Sequence, residues 1–191
     1  MSHRETKSAA LVGPCFLLGM SILLCDSASA SAAGPEVGRK LSPLKVEVLQ
    51  AGGGYMADDI ATAAAEKPVV YLLVPAKKWD RPVARFMKTL DDKLASFSAT
   101  AIVHAVWLTA DVGASKEYLP RAAQSLQFKN VSLAVFSDES GPEGWQPAGD
   151  GQLTVVVANK GRVASTFSFA SVNETDVPKV GEAITKALDL K

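Results

Sequence analysis

The chain has 191 residues, 48% of them hydrophobic and 21% charged, a globular composition long enough for one domain with a sizeable core. Lys+Arg and Asp+Glu balance at 20 each, which excludes the basic field that draws a protein onto nucleic acid or anionic lipid.

The first 33 residues read as a segment apart. MSHRETK is polar and carries Arg4 and Lys7, SAALVGPCFLLGMSILLC is apolar, and DSASASAAG is rich in small residues. This is the order of a secretory signal peptide over residues 1–33, with cleavage expected near Ala30 or Ala32. Ser8 to Cys25 approaches spanning length, so an uncleaved anchor is the competing reading. Gly13, Pro14 and Gly19 weaken it, and Leu24 before Cys25 fits a lipidation signal poorly. The expected location is secreted or periplasmic, with membrane attachment only if the leader is retained or lipidated. The two cysteines, Cys15 and Cys25, and His3 all lie in this leader. The mature chain would then have no thiol, no disulfide and a single histidine, His104, so neither a metal centre nor a cofactor is expected.

Residues 34–43 read as a linker, and 44–191 as the domain. Leu44 to Leu49 alternates apolar and polar residues as a half-buried strand does. AGGGY follows; without the Lys-Ser/Thr of a phosphate loop it reads as a plain turn. Met56 to Glu66 is alanine-rich and reads as a helix, with Asp58 and Asp59 in its first turn. Val69 to Val74 is a continuous apolar run, the mark of a strand covered on both faces. From Pro82 the period turns helical, with Val83, Phe86, Met87, Leu90 and Leu94 on one face. Pro82 suits the first turn, and Asp80 stands at the N-cap. Ala101 to Leu108 is a second buried strand. Ser115 to Leu126 reads as a helix whose start Pro120 strains. Val131 to Phe136 is a strand closed by SDESGPEG. Leu153 to Ala158 and Arg162 to Phe169 make a hairpin over Asn159-Lys160-Gly161, and Val177 to Leu188 is an amphipathic helix. The alternation argues an α/β domain with a mixed sheet and helices on both faces.

Strand, Trp79, the tetrad Asp80-Arg81-Pro82-Val83, then helix: this order resembles the Trp-Cys-x-Pro-Cys box of the thioredoxin superfamily. The closing hairpin with its Lys-Gly turn and C-terminal helix resembles the same family, and Val131 to Gly141 resembles its peroxiredoxin branch. The resemblance runs from Leu44 to Leu188 and implies a three-layer α/β/α sandwich with a mixed central sheet. It also implies a redox site, and there the sequence departs. Asp80 and Val83 stand where the family has its cysteines, and no Thr-Cys follows Pro75. The cis-proline that the family places before the hairpin, near Leu153, is missing. Thiol–disulfide exchange and peroxide reduction both need a thiolate, so the resemblance implies the fold without that chemistry.

Other chemistries have thin support. His104, mid-strand, reads as a satisfied core histidine rather than a hydrolase base. Asp80, Asp91, Asp92, Asp138 and Glu139 are acid candidates by type alone, and Asp91-Asp92 reads most simply as a solvated helix face. DESGPEG and AGDG fall short of a calcium loop. Binding is more open. Lys77, Lys78, Trp79, Asp80, Arg81, Pro82 and Arg85 gather cations and an aromatic at a helix N-terminus, where backbone N–H groups favour anions. The bland alternative has Trp79 covering the sheet edge and Arg81 paired with Asp80 or Asp91. Two functions follow as expectations. One is a non-catalytic binding or scaffold domain whose partner is another envelope or extracellular protein. The other is a non-thiol enzyme using Asp80 with another acid or His104.

Overall fold

The computed structural model describes residues 34–147 and 149–189, together with Met1. The leader, its two cysteines and its cleavage sites lie outside the described residues, and the following concerns the unit Ser31–Lys191.

The core is a seven-stranded sheet of order β2-β1-β5-β4-β3-β6-β7. In chain order these are β1 (Lys45–Leu49), β2 (Tyr55–Asp59), β3 (Val69–Pro75), β4 (Ile102–Leu108), β5 (Val131–Phe136), β6 (Leu153–Asn159) and β7 (Arg162–Phe169). The helices are α1 (Ile60–Ala63), α2 (Arg81–Phe97), α3 (Val112–Leu126) and α4 (Val177–Asp189). β3, β4 and β5 run parallel, and the other pairs are antiparallel. The apolar run read at Val69 to Val74 is central, and every one of those residues is buried. Val70, Leu72 and Val74 point to one core, and Val69, Tyr71 and Leu73 to the other, as strand alternation requires.

The two crossovers, β3-α2-β4 and β4-α3-β5, step the same way across the sheet. With a common right hand they place both helices on one face, and Val83 of α2, Leu119 of α3 and Ile184 of α4 share a single core. The opposite face is covered by short α1 and by the segment after β5, whose Trp145 is fully buried against Tyr71. The sheet thus has helices on both faces, unevenly distributed.

Three expectations need correction. Met56 to Glu66 is not one helix. Tyr55–Asp59 pairs antiparallel with β1, and only Ile60–Ala63 is helical. The hairpin over the glycine turn competes for those residues and wins; Asp59 then becomes an N-cap, accepting from the Thr62 and Leu44 amides. Residues 34–43 are not a free linker. They lie along the outer edge of β7, with Gly38 N–H on Val163 O, Val163 N–H on Arg39 O and Leu41 N–H on Gly161 O, which removes an open sheet edge. Pro120 sits deep inside α3 rather than at its start, since the helix begins at Val112 under an Asp111 cap. Proline cannot bond the Lys116 carbonyl one turn back, and the Tyr55 hydroxyl donates to that carbonyl at 3.1 Å instead.

The β6–β7 hairpin turns over Lys160 and Gly161, both at positive φ (50° and 68°). This is the mirror-image geometry that suits the twist of the flanking strands.

Candidate functional site

The site forms where β3 ends. A 3-10 turn at Ala76–Lys78 leads into Trp79 and Asp80, both extended, and then into α2. Trp79 is half-buried, lying against Trp107 of β4 with ring centroids 4.7 Å apart, and its indole N–H donates to the Tyr118 hydroxyl at 2.8 Å. It therefore ties the head of α2 to α3.

Asp80 is the N-cap that the sequence suggested. Its Oδ1 accepts from the Val83 amide at 3.0 Å, satisfying one of the donors a helix start leaves open. Its Oδ2 accepts from the Gln152 amide at 2.6 Å. Gln152 in turn accepts from the Val172 N–H at 2.8 Å, and its own backbone donates to Phe169. A residue just ahead of β6 thus links the box to the loop after β7. Val83, in the second cysteine position of the box, is fully buried, and Pro82 is exposed in the first turn.

The cations spread around this centre. Lys77 pairs with Glu139 at 2.8 Å, and Arg85 meets Glu174 at 3.9 Å, both in the open. Lys78 and Arg81 are exposed and make no ion pair among the described residues. The anion expected on the N–H groups of α2 meets an occupied position, because Asp80 already holds the Val83 amide. The pairing of Arg81 with Asp80 or Asp91 is likewise corrected. Asp80 bonds Gln152, and Asp91 is buried.

Asp91 corrects a second expectation. It is 1% exposed and accepts the Lys129 and Asn130 amides at 2.9 and 2.7 Å. It is a structural brace for the turn into β5, while only Asp92 lies on the solvated face, with Lys88 at 2.8 Å. Asp138 is absorbed in its own turn through the Ser140 amide and hydroxyl, which hold its carboxyl below the usual range. His104 is a satisfied strand histidine. Its Nδ1 lies 2.6 Å from Ser132 Oγ and its ring stacks on Tyr71; burial pushes its pKa down to about 4, opposed by the charge of Asp58. Tyr71 belongs to the core on the face opposite Trp79 and Trp107, so His104 and Asp80 share no site. Among the described residues no cluster of three His, Cys, Asp or Glu could hold a metal.

Two clefts flank the Trp79–Tyr118 bridge. One, of about 570 Å³, lies between α2 and α3, with Arg81 and Arg121 on its walls and Ala84, Ala122 and Leu126 inside. The other, of about 590 Å³, runs over Trp107, Thr109, Asp111 and Ala114. Of the residues expected on one face, Trp79, Asp80 and Arg81 line the α2–α3 cleft, Lys78 lines a neighbouring one, and Arg85 turns to Glu174. Sequence reading missed Gln152, Tyr118, Trp107 and Arg121. Helical spacing offered one signal: Tyr118, Arg121, Ala122 and Ser125 fall on one side of α3.

No protein-family model matches the sequence, and a search of curated proteins finds no match. Solved structures do match. A mitochondrial 2-Cys peroxiredoxin from Plasmodium falciparum superposes with a TM-score of 0.60 at 11% identity, covering 81% of this chain and 95% of that one. A candidate protein disulfide isomerase from Bacteroides thetaiotaomicron gives 0.58 at 13% identity, covering 83% and 94%. A candidate thiol:disulfide interchange protein DsbE from Chlorobium tepidum gives 0.57 at 15% identity, covering 81% and 99%. At such identities the likeness is one of fold, and it agrees with the strand order and the box geometry above. The chain has the thioredoxin-like fold, a mixed sheet with peroxiredoxin-like and DsbE-like neighbours.

Proposed function

We propose that the chain is an exported thioredoxin-like binding or scaffold domain without thiol chemistry, and that it binds through Lys78, Trp79, Asp80, Arg81, Pro82 and Arg85. The observation that carries this reading is the double engagement of Asp80. In the first cysteine position stands a carboxylate whose two oxygens are spent on the Val83 amide and Gln152. In the second stands Val83, fully buried. The position that would attack a disulfide or a peroxide is a helix cap, and a carboxylate performs neither reaction. Around it remain an aromatic platform and unpaired cations, the residue types that dominate protein interfaces.

Export rests on the charged, apolar and small-residue order of residues 1–33, and the partner class is then another envelope or extracellular protein. The balanced charge argues against nucleic acid.

The test is a cross-linking capture of partners in the native envelope, wild type against the Trp79→Ala/Arg81→Ala pair, with folding of the pair confirmed by its melting curve. Loss of specific partners in the pair supports the reading. Retention of all partners, or dithiol-dependent reduction of insulin or peroxide by the purified protein, overturns it.

A further inference from the structure

Among the described residues, five surface cations find acids. Lys77 has Glu139, Lys88 has Asp92, Lys116 has Glu47, Arg85 has Glu174 and Arg39 has Glu36. Arg81 and Arg121 are among those that do not, and they share a cleft. They stand on opposite walls of the α2–α3 cleft, and neither makes a hydrogen bond or ion pair with the described residues. Glu117, one turn before Arg121, does not pair with it. The one acid lining the cleft, Asp80, has both oxygens engaged.

We propose that this cleft docks an acidic peptide segment of a partner protein, with carboxylates received by Arg81 and Arg121 and an apolar side chain laid against Trp79 and Ala84. This rests on the binding reading above and names its ligand. Charge complementarity sets the sign: two guanidinium forks without partners suit carboxylates, which they can grip bidentately. The floor sets the apolar component. The Trp79–Tyr118 hydrogen bond consumes the polar end of the indole and ties down the tyrosine hydroxyl, so what remains on offer is ring surface. Length favours a chain over a small anion. The second cleft shares Trp79 and Tyr118 with the first and is lined by Lys77, Asp111 and Glu139, so an extended segment can cross the bridge with its carboxylates kept at the arginines and its apolar part in the second cleft. A small anion held by helix amides is disfavoured, because Asp80 occupies the Val83 N–H.

The test uses the full chain as the cell processes it and a short fluorescein-labelled peptide alternating glutamate with leucine and phenylalanine, read by anisotropy. The acidic peptide binds, its glutamine twin binds at least about tenfold more weakly, and the affinity falls as salt rises. Arg81→Gln and Arg121→Gln each weaken binding about five- to tenfold at unchanged melting temperature, since both side chains are exposed. The Arg81→Glu/Arg121→Glu pair reverses preference and binds the lysine twin. Equal binding of the acidic and glutamine peptides, or no effect of Arg121→Gln, overturns the proposal, as does binding of a phosphoserine peptide alone. If cross-linked partners are lost with Trp79→Ala/Arg81→Ala but kept with Arg121→Gln, the acidic-peptide docking falls and the binding face stands. If both variants keep every partner, both readings fall.

Discussion

Asp80, Asp91 and His104 are polar residues of known type whose roles depend on what reaches them. Asp80→Ala removes a helix cap and a second hydrogen bond, and the expected cost is about 1–2 kcal/mol in urea unfolding. Asp80→Asn keeps an acceptor for the Val83 amide and should cost less, without loss of partner binding. Asp91→Ala leaves two amides of the turn into β5 without their acceptor in a dry site, and an expected loss of about 2–3 kcal/mol follows. His104 supplies a pH dependence. Burial lowers its folded pKa from the ordinary 6.5 to about 4, so between those values the unfolded chain binds more protons than the native one. Its contribution is complete above pH 6.5 and is lost as pH falls toward about 4. Urea midpoints measured across this window should drop, and His104→Phe should flatten the drop.

Among the elements, α3 and α4 each hold one small structural bargain. In α3, Pro120 deprives the Lys116 carbonyl of its helical donor, and Tyr55 replaces it from β2. Tyr55→Phe should therefore destabilise by about 1 kcal/mol. In a Pro120→Ala background, where the helix can restore its own bond, the same change should cost less. A double-mutant cycle measures that difference, and equal costs in both backgrounds would refute the link. In α4, Gly181 lies directly against the Phe97 ring of α2, and an added Cβ would overlap it. Gly181→Ala should gain helix propensity yet lose about 1–3 kcal/mol through forced repacking; a rise in melting temperature would show that the two helices can separate freely.

The whole molecule has a thioredoxin-like fold, and the role proposed for it is binding without thiol chemistry. The mixed sheet is that of a thioredoxin-like fold, while Asp80 caps α2 and Val83 is buried in the core. On the proposed reading, fold and function separate here. Introducing sulfur at these two positions should not by itself confer dithiol activity. Asp80→Cys/Val83→Cys would lose the N-cap, bury the second thiol among Phe86 and its neighbours, and lack the proline that the family resemblance implies near Leu153. The expected outcome is slow or absent insulin reduction by the double variant with dithiol; rapid turnover would show that the two cysteines were the only missing component.

Six of the seven strands, the long helices and the cap at Asp80 were legible by themselves, because each is a local pattern: apolar runs or alternation for strands, a 3.6-residue period for α2, an acid two residues ahead of a proline. That residues 34–191 contain no cysteine was legible too, since it is a matter of inventory. What the sequence could not determine were choices between partners far apart in the chain. Residues 55–59 have an alanine and two acids and lead into an alanine-rich run that suits a helix, yet they pair with β1 because a strand partner lies one turn away. Asp91 looks solvated until residues 129–130 fold back onto it. Gln152, Tyr118 and Arg121 carry no motif, and they join the site only because β6 and α3 are packed beside the head of α2. Local periodicity records which side of an element is apolar; only tertiary packing decides which polar groups on distant elements meet.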